Sequence, residues 1–189
     1  MVLIHRFWVG PPRPEHIWIT EVVRKIHPNA ELKNWTLDTL PRNPKEMIRG
    51  SDTPGHLSNM VRHWALYELG GLWLDHDVIP LRNLTEASEP WTAALGSVRE
   101  GSSMWFPHQA HPMMGEMLAI GLASSSLTRN PVERSGSMHL RKVGARYPDV
   151  GYEQRVLPID ALGRKRVFDG DIWAVHLWST QSVKRGSSR

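Results

Sequence analysis

Cysteine is absent from the 189 residues, so neither a disulfide nor a thiolate metal site can be built, and a reducing cytoplasm is the simplest home. No stretch approaches the ~18 consecutive apolar residues of a membrane span. The first ten residues are interrupted by His5 and Arg6 and carry no long apolar segment before a small-residue cleavage site, so a soluble, cytoplasmic protein is expected. No G-x-x-x-x-G-K, G-x-S-x-G or H-E-x-x-H pattern occurs, which removes the phosphate-loop, serine-hydrolase and zinc-protease readings. No internal repeat is visible, which argues against a solenoid or propeller.

What is present suits one small compact domain: 40% of the residues are hydrophobic, a proportion that supports a core of its own. Charge is unevenly spread, with a net −2 over residues 1–128 and +6 over residues 129–189. The basic third suits a diphosphate, an acidic acceptor such as DNA, or plain solvated surface.

The order of elements is that of an α/β fold. Val2 to Val9 reads as a strand closed by Gly10, Pro11 and Pro12. Pro14 to Ile26 reads as a helix ended by Pro28, and Leu32 to Leu37 as a second strand. Strand, helix, strand at this spacing predicts a parallel unit. Asp38 at its end suits a turn or a nucleoside contact, and Pro41 to Ser51 reads as a loop. Further on, Trp91 to Val98 reads as a strand, Arg99 to Ser103 as a turn, and Met104 to Phe106 as a resumed strand. Met113 to Ala123 reads as a helix entered through His111. Ser135 to Ser137 precede a basic helix containing Leu140, Val143 and Tyr147. Val156 to Ile159 and Ile172 to Leu177 read as late strands.

The chain is organised around Ser58 to Ile79. Thr53 can cap a helix, Pro54 suits its first position, and Gly70 supplies the left-handed residue that ends it. Leu57, Met60, Val61, Trp64 and Ala65 form one apolar stripe, while Asn59 and Arg62, three apart, point the same way from another face. Leu72, Trp73 and Leu74 then read as a buried strand. The strand is expected to run on through Asp77 to Val78 and Ile79, where Pro80 stops it, and its alternation puts Asp75 and Asp77 on one side and His76 on the other. Two carboxylates so close repel, and a divalent cation relieves the repulsion. By chance alone a D-x-D arises in about one chain in three at this Asp content. The second triplet, Asp169 to Asp171, lies in a polar glycine turn and reads as only that.

Arg62, seven residues, and then G-G-L-W-L-D-H-D-V resembles the DXD region of the glycosyltransferases that include yeast initiating mannosyltransferases and the catalytic domains of large clostridial glucosylating toxins. That region is usually written S-D-x-x-R, seven residues, G-G-x-Y-x-D-x-D. Ser58, Arg62, Gly70, Gly71, Asp75 and Asp77 match, whereas Asn59 replaces the family's Asp and Trp73 its usual Tyr. Ile4, His5, Trp8 and Gly10 resemble the family's opening strand, and His176, Trp178 and Ser182 its closing H-x-W motif, with Val183 at a common Trp position.

The resemblance implies a small GT-A-like, Rossmann-like nucleotide-sugar-binding domain over residues 1–180; the composition of residues 181–189 reads as a basic, disordered tail. It implies a hexosyltransferase that retains anomeric configuration and transfers a sugar from a UDP- or GDP-sugar. Mn²⁺, or else Mg²⁺, would be held by Asp77 and His176 with Asp75 beside them. Asn59, Arg62 and Asp75 would serve the donor and catalysis, Trp8 would stack on the base, and Trp178 and Ser182 would sit near the diphosphate. Without the resemblance, Trp8 and His176 read first as core residues and Ser135 to Ser137 as a helix cap rather than an acceptor wall. The acceptor is open between protein, glycan and modified DNA. Two other classes share the residues: a metal-dependent phosphohydrolase or nuclease using Asp75, Asp77 and His176, and a non-catalytic nucleotide-sugar-binding module.

Overall fold

A computed structural model of the chain describes residues 1–41, 53–95, 98–124, 136–153, 155–158 and 172–177. The architecture is mixed α/β. Strands β1 (Val2–Phe7), β2 (Ala30–Trp35), β3 (Gly71–Leu74), β5 (Trp91–Leu95), β6 (Val98–Phe106) and β7 (Gly151–Glu153) form one sheet in the order β2-β1-β3-β6-β5-β7. β1 is parallel to both β2 and β3, β6 is antiparallel to β3 and β5, and β7 returns parallel to β5. A second sheet, β4-β9-β8, is made from β4 (Val78–Pro80), β8 (Val156–Pro158) and β9 (Ala174–His176). The helices are α1 (Pro14–Ile26), α2 (Pro54–Glu68), α3 (Pro112–Ser124) and α4 (Ser137–Gly144).

Alternation along the strands sorts the core into two layers. Trp73, Met104 and Phe106 face α2, α3 and α4, meeting Val61, Ala65, Met113, Met117 and Leu140. Leu72, Leu74 and Trp105 face the other way, onto Ile19 and Val23 of α1 and onto Val78, Val156 and Ala174 of the second sheet. Each fully buried large side chain contributes about 1.5–3 kcal/mol of transfer free energy, so the sheet is clamped from both faces.

The turn into β3 is built as its residues require. Thr53 caps α2 by accepting the His56 N–H, and Gly70 and Gly71 both take positive φ, +65° and +101°. A Cβ on Gly71 would overlap the Leu3 carbonyl oxygen of β1, so the strand can join the sheet here only as glycine. His5 locks the turn from the neighbouring strand. Its Nδ1 accepts from Trp35 Nε1 at 3.2 Å, which leaves the Nε2–H to donate to the Gly70 carbonyl at 2.8 Å.

β1 and β2 end two residues before the positions expected, and Val98 opens β6 instead of closing the strand begun at Trp91; four further differences bear on the site. The chain leaves the sheet after Leu74, so Asp75, His76 and Asp77 lie in a turn closed by Val78 N–H on the Asp75 carbonyl, not in a strand. Val78 to Pro80 therefore form a separate strand, β4, in the second sheet. Residues 99–103 are strand, because β6 gains partners on both sides, β5 and the end of β3. β7, three residues long, carries too little pattern to be read in advance. Pro14–Ile26 agrees with the predicted helix residue for residue, and His111 does serve helix entry, its Nδ1 accepting from Met113 N–H. Most of the 41–51 loop, Ser135, the Asp169–Asp171 triplet, Trp178, Ser182 and the 181–189 tail lie outside the described residues.

Several buried histidines are held neutral. Burial lowers the pKa of His5 to about 4 and of His76 to about 3, and it pushes His63 well below the ordinary value. The unfolded chain takes up these protons near pH 6.5 and the folded chain does not, so the stability they carry is full above pH 6.5 and is lost as pH falls. His5 alone accounts for about 3 kcal/mol between pH 6.5 and 4. The urea midpoint should therefore drop between pH 6.5 and pH 5.0, and drop less in His5→Gln; equal wild-type midpoints would contradict the assignment.

Candidate active site

Asp75 sits one residue beyond the end of β3 and is fixed by three bonds. Its N–H donates to the Ser102 carbonyl at 2.8 Å, extending the β3–β6 ladder by one rung. Its Oδ1 accepts from Trp73 Nε1 at 2.7 Å and from Arg62 Nη2 at 2.8 Å. Arg62 reaches it from α2 with a side chain only 7% exposed, lies over the Trp73 ring, and gives Nη1 to Asn59 Oδ1 at 2.9 Å. The guanidinium has room because residue 101 is glycine: a Cβ there would overlap Nη1.

Asp77 is fixed by the second sheet. Leu177 N–H donates to its carbonyl at 2.9 Å, and the pairing of Val78 with His176 sets the imidazole beside its carboxylate, Nε2 to Oδ1 3.2 Å. One ligand atom each from Asp75, Asp77 and His176 lies within 4.8 Å of the others, and this is the cluster among the described residues whose donor set suits a metal ion. Two carboxylates and an imidazole match the ligands of a divalent cation that accepts oxygen and nitrogen donors. The resemblance to the family's closing motif implied His176 at this place, and the structure sets it beside Asp77.

Positive charge surrounds the pair. Burial disfavours the charged form of His176, but Asp77, with Glu100 behind it, outweighs that and raises its pKa to about 9. Arg6, fully buried on β1, donates to the His76 carbonyl at 2.8 Å and to Thr20 Oγ1 at 2.6 Å. Burial lowers its pKa to about 10, against the pull of Asp75 and Asp77, so it remains a cation at neutral pH. The carboxylates are thereby partly neutralised by fixed charge.

Trp8 continues from the end of β1 and is half-buried beside the turn. Its ring meets His16 edge-on at 4.2 Å and His76 at 5.8 Å, and its Nε1 donates to the Pro11 carbonyl. The His76 ring packs into this cluster, 5.1 Å from that of His16. Glu100 is the residue that the sequence reading missed: its Oε2 is 3.8 Å from His176 Nδ1. Residue 100 fell in the stretch expected to be a turn, so nothing local marked it.

The fold and site together define a class: a GT-A-type α/β domain in which an Asp-x-Asp turn follows a strand of the parallel half of the sheet. Residues 15–96, a little under half of the chain, match the family model described as glycosyltransferase sugar-binding region containing DXD motif. Among solved structures the chain is similar to the PaToxG glycosyltransferase, at 11% identity over 77% of this chain and 69% of that one, with a TM-score of 0.63. It is also similar to a glycosyltransferase involved in glycosylation of the major capsid of PBCV-1, at 12% identity over 99% and 98% of the two chains, TM-score 0.54. An active-site mutant of LgtC is similar at 11% identity over 93% and 86%, TM-score 0.52. None of the curated proteins matches by sequence. The family match and the shared fold bear out the resemblance read from the sequence and point to a glycosyltransferase. No described helix is long and apolar enough to cross a membrane.

Gly101→Ala tests the architecture directly. The added methyl must push Arg62 off Asp75, leaving a largely buried carboxylate and guanidinium unpaired at a cost of about 1–3 kcal/mol. The expected result is a lower melting temperature, with Asn59→Ala far milder; an unchanged melting temperature would show that Arg62 has another place to go.

Proposed function

We propose that the protein is a metal-dependent glycosyltransferase that moves a sugar from a nucleoside diphosphate to an acceptor. The observation that carries this reading is the convergence of Asp75, Asp77 and His176 from two sheets onto one point, on a glycosyltransferase fold. Asp77, His176 and Asp75 would hold Mn²⁺ or Mg²⁺, which supplies countercharge to the departing diphosphate. The bond between the anomeric carbon and the phosphate oxygen breaks, and the acceptor oxygen bonds to the same carbon. The acceptor's proton passes to the departing phosphate, and attack on the same face retains configuration.

Arg62 acts within this reading chiefly on Asp75, since Asp75, Asn59 and the Trp73 ring already engage it. Asn59 Oδ1 accepts from Arg62, as a carboxylate at residue 59 could, and the amide adds N–H donors that the family's Asp lacks. That exchange removes a charge, adds a donor and bears on which sugar is preferred. Trp8, at the strand end beside the turn, suits stacking on the donor's base, and Trp178 and Ser182 are assigned to the diphosphate by resemblance. LgtC has been crystallised with donor and acceptor sugar analogues, in keeping with a nucleotide-sugar donor for this fold. The donor is taken to be a UDP- or GDP-sugar; the acceptor is a protein, a glycan or modified DNA.

Screening UDP- and GDP-sugars for Mn²⁺-dependent release of nucleoside diphosphate tests the reading. Asp77→Ala should abolish that release while keeping the wild-type circular dichroism spectrum. Cleavage of DNA with no release of nucleoside diphosphate would overturn the transferase reading in favour of a nuclease. Trp8→Ala should raise the donor KM by about tenfold, because stacking of a base on an aromatic ring is worth about 1–3 kcal/mol. An unchanged KM would return Trp8 to a packing role.

A further inference from the structure

His176 presents its two ring nitrogens to two different carboxylates. Nε2 faces Asp77 at 3.2 Å and Nδ1 faces Glu100 at 3.8 Å, so Glu100 stands behind the ring on the side away from the Asp-x-Asp turn. Glu100 is outside the set whose ligand atoms fall within 4.8 Å of one another. We propose that Glu100 is the positioning residue of the metal centre: it accepts the Nδ1–H of His176 and so fixes Nε2 as the ligating nitrogen. This rests on the reading of Asp75, Asp77 and His176 as a metal site.

The physical requirement comes first. An imidazole that gives one nitrogen's lone pair to a metal must carry its proton on the other, and in a site this enclosed that N–H needs an acceptor. His176 has a side chain only 10% exposed, and the Glu100 carboxylate faces its Nδ1. A contraction of about 1 Å brings 3.8 Å to hydrogen-bond length. The negative charge also makes Nε2 a better donor to the metal, which a neutral acceptor does less well.

The fold aims Glu100 there by a specific device. Along β6, Met104 lies opposite Thr92 but Glu100 lies opposite Ala93, so a single step along β5 corresponds to four along β6. Gly101, Ser102 and Ser103 are the surplus, and they serve the other neighbour: Ser103 pairs with Leu74, and the Ser102 carbonyl takes the Asp75 N–H. In an unbroken strand Glu100 would share the face of Met104 and Phe106, toward α2. The bulge instead gives it the face of its partner Ala93, which packs with Trp91 and Trp105 on the side of the second sheet, where β9 brings His176. Ser102 Oγ then donates to Glu100 Oε2 at 3.4 Å and helps to orient it. The same three residues thus hold Asp75 and turn Glu100 toward the third ligand.

The test is titration of the full chain with Mn²⁺ alone, free ion being read by electron paramagnetic resonance, for wild type, Glu100→Ala, Glu100→Gln, Asp77→Ala and His176→Ala. Glu100→Ala should weaken Mn²⁺ binding by about 10–100-fold. Glu100→Gln, which keeps an acceptor and the shape of the side chain, should recover part of the loss and covers the case in which the alanine variant fails to fold. Pulsed spectra of bound Mn²⁺ should show the His176 nitrogen coupling in wild type, and show it weakened in Glu100→Ala, a change that general loosening elsewhere would not produce. Wild-type affinity in Glu100→Ala, alongside loss in Asp77→Ala, would reject this inference alone. A loss in Glu100→Gln as complete as in Asp77→Ala would make Glu100 a direct ligand and likewise overturn it. Undiminished Mn²⁺ binding in Asp77→Ala would overturn the metal-site reading itself.

Discussion

Everything at this site depends on one partly buried ion pair, Arg62 with Asp75. A carboxylate held next to a second carboxylate, and largely out of water, is stable only if opposite charge is delivered at hydrogen-bond distance. Arg62 delivers it from the middle of α2. It does so because Gly101 leaves space for the guanidinium, Trp73 offers a ring to lie on, and Asn59 accepts the other nitrogen. The pair also ties the helix to the strand that follows it, so the glycine turn at residues 70 and 71 cannot open without separating them. Capping at Thr53, the hydrogen bond from His5 to Gly70 and the Trp73 bond to Asp75 all stabilise this one connection.

Charge around the turn is close to balanced, which explains why a cluster so acidic folds. Asp75, Asp77 and Glu100 are met by Arg62, Arg6 and the protonated His176. A divalent cation at Nε2 of His176 would replace a proton there and add net positive charge beside the two aspartates. The side chains that could hold it are already placed by the fold.

How much of this was legible depended on whether the signal was local. The ends of α2 were written in Thr53, Pro54 and Gly70, and α1 was bounded by Pro14 and Pro28; those elements could be placed to the residue. Asp75 and Asp77 were legible as a pair but not as a turn, because Leu-Trp-Leu-Asp-His-Asp-Val-Ile reads as one apolar strand and only the tertiary partners show that it breaks after Leu74. His176 carried no signal beyond a resemblance, its neighbour Asp77 being far away in sequence. Glu100 carried none at all. Gly-Ser-Ser after it has the composition of a turn, and the bulge that reverses its face is set by pairing with β5 and β3 at once, which no window of sequence contains.

The Asp-x-Asp turn is held at each of its three residues by a different part of the fold. Asp75 answers to α2 and β6. The carbonyl of His76 answers to Arg6 of β1, and its ring packs against His16 and Trp8. Asp77 answers to β9 through Leu177 and His176. Three anchors from separate elements fix a three-residue turn more tightly than its own single Val78–Asp75 hydrogen bond can, which is what a metal site needs if its ligands are to be preset rather than gathered. The middle anchor adds a connection. Because the His76 ring meets Trp8 while its backbone joins Asp75 to Asp77, Trp8 and the two carboxylates are parts of one packed unit. The spacing between the Trp8 ring and the carboxylates is therefore set by the packing of His16 and His76.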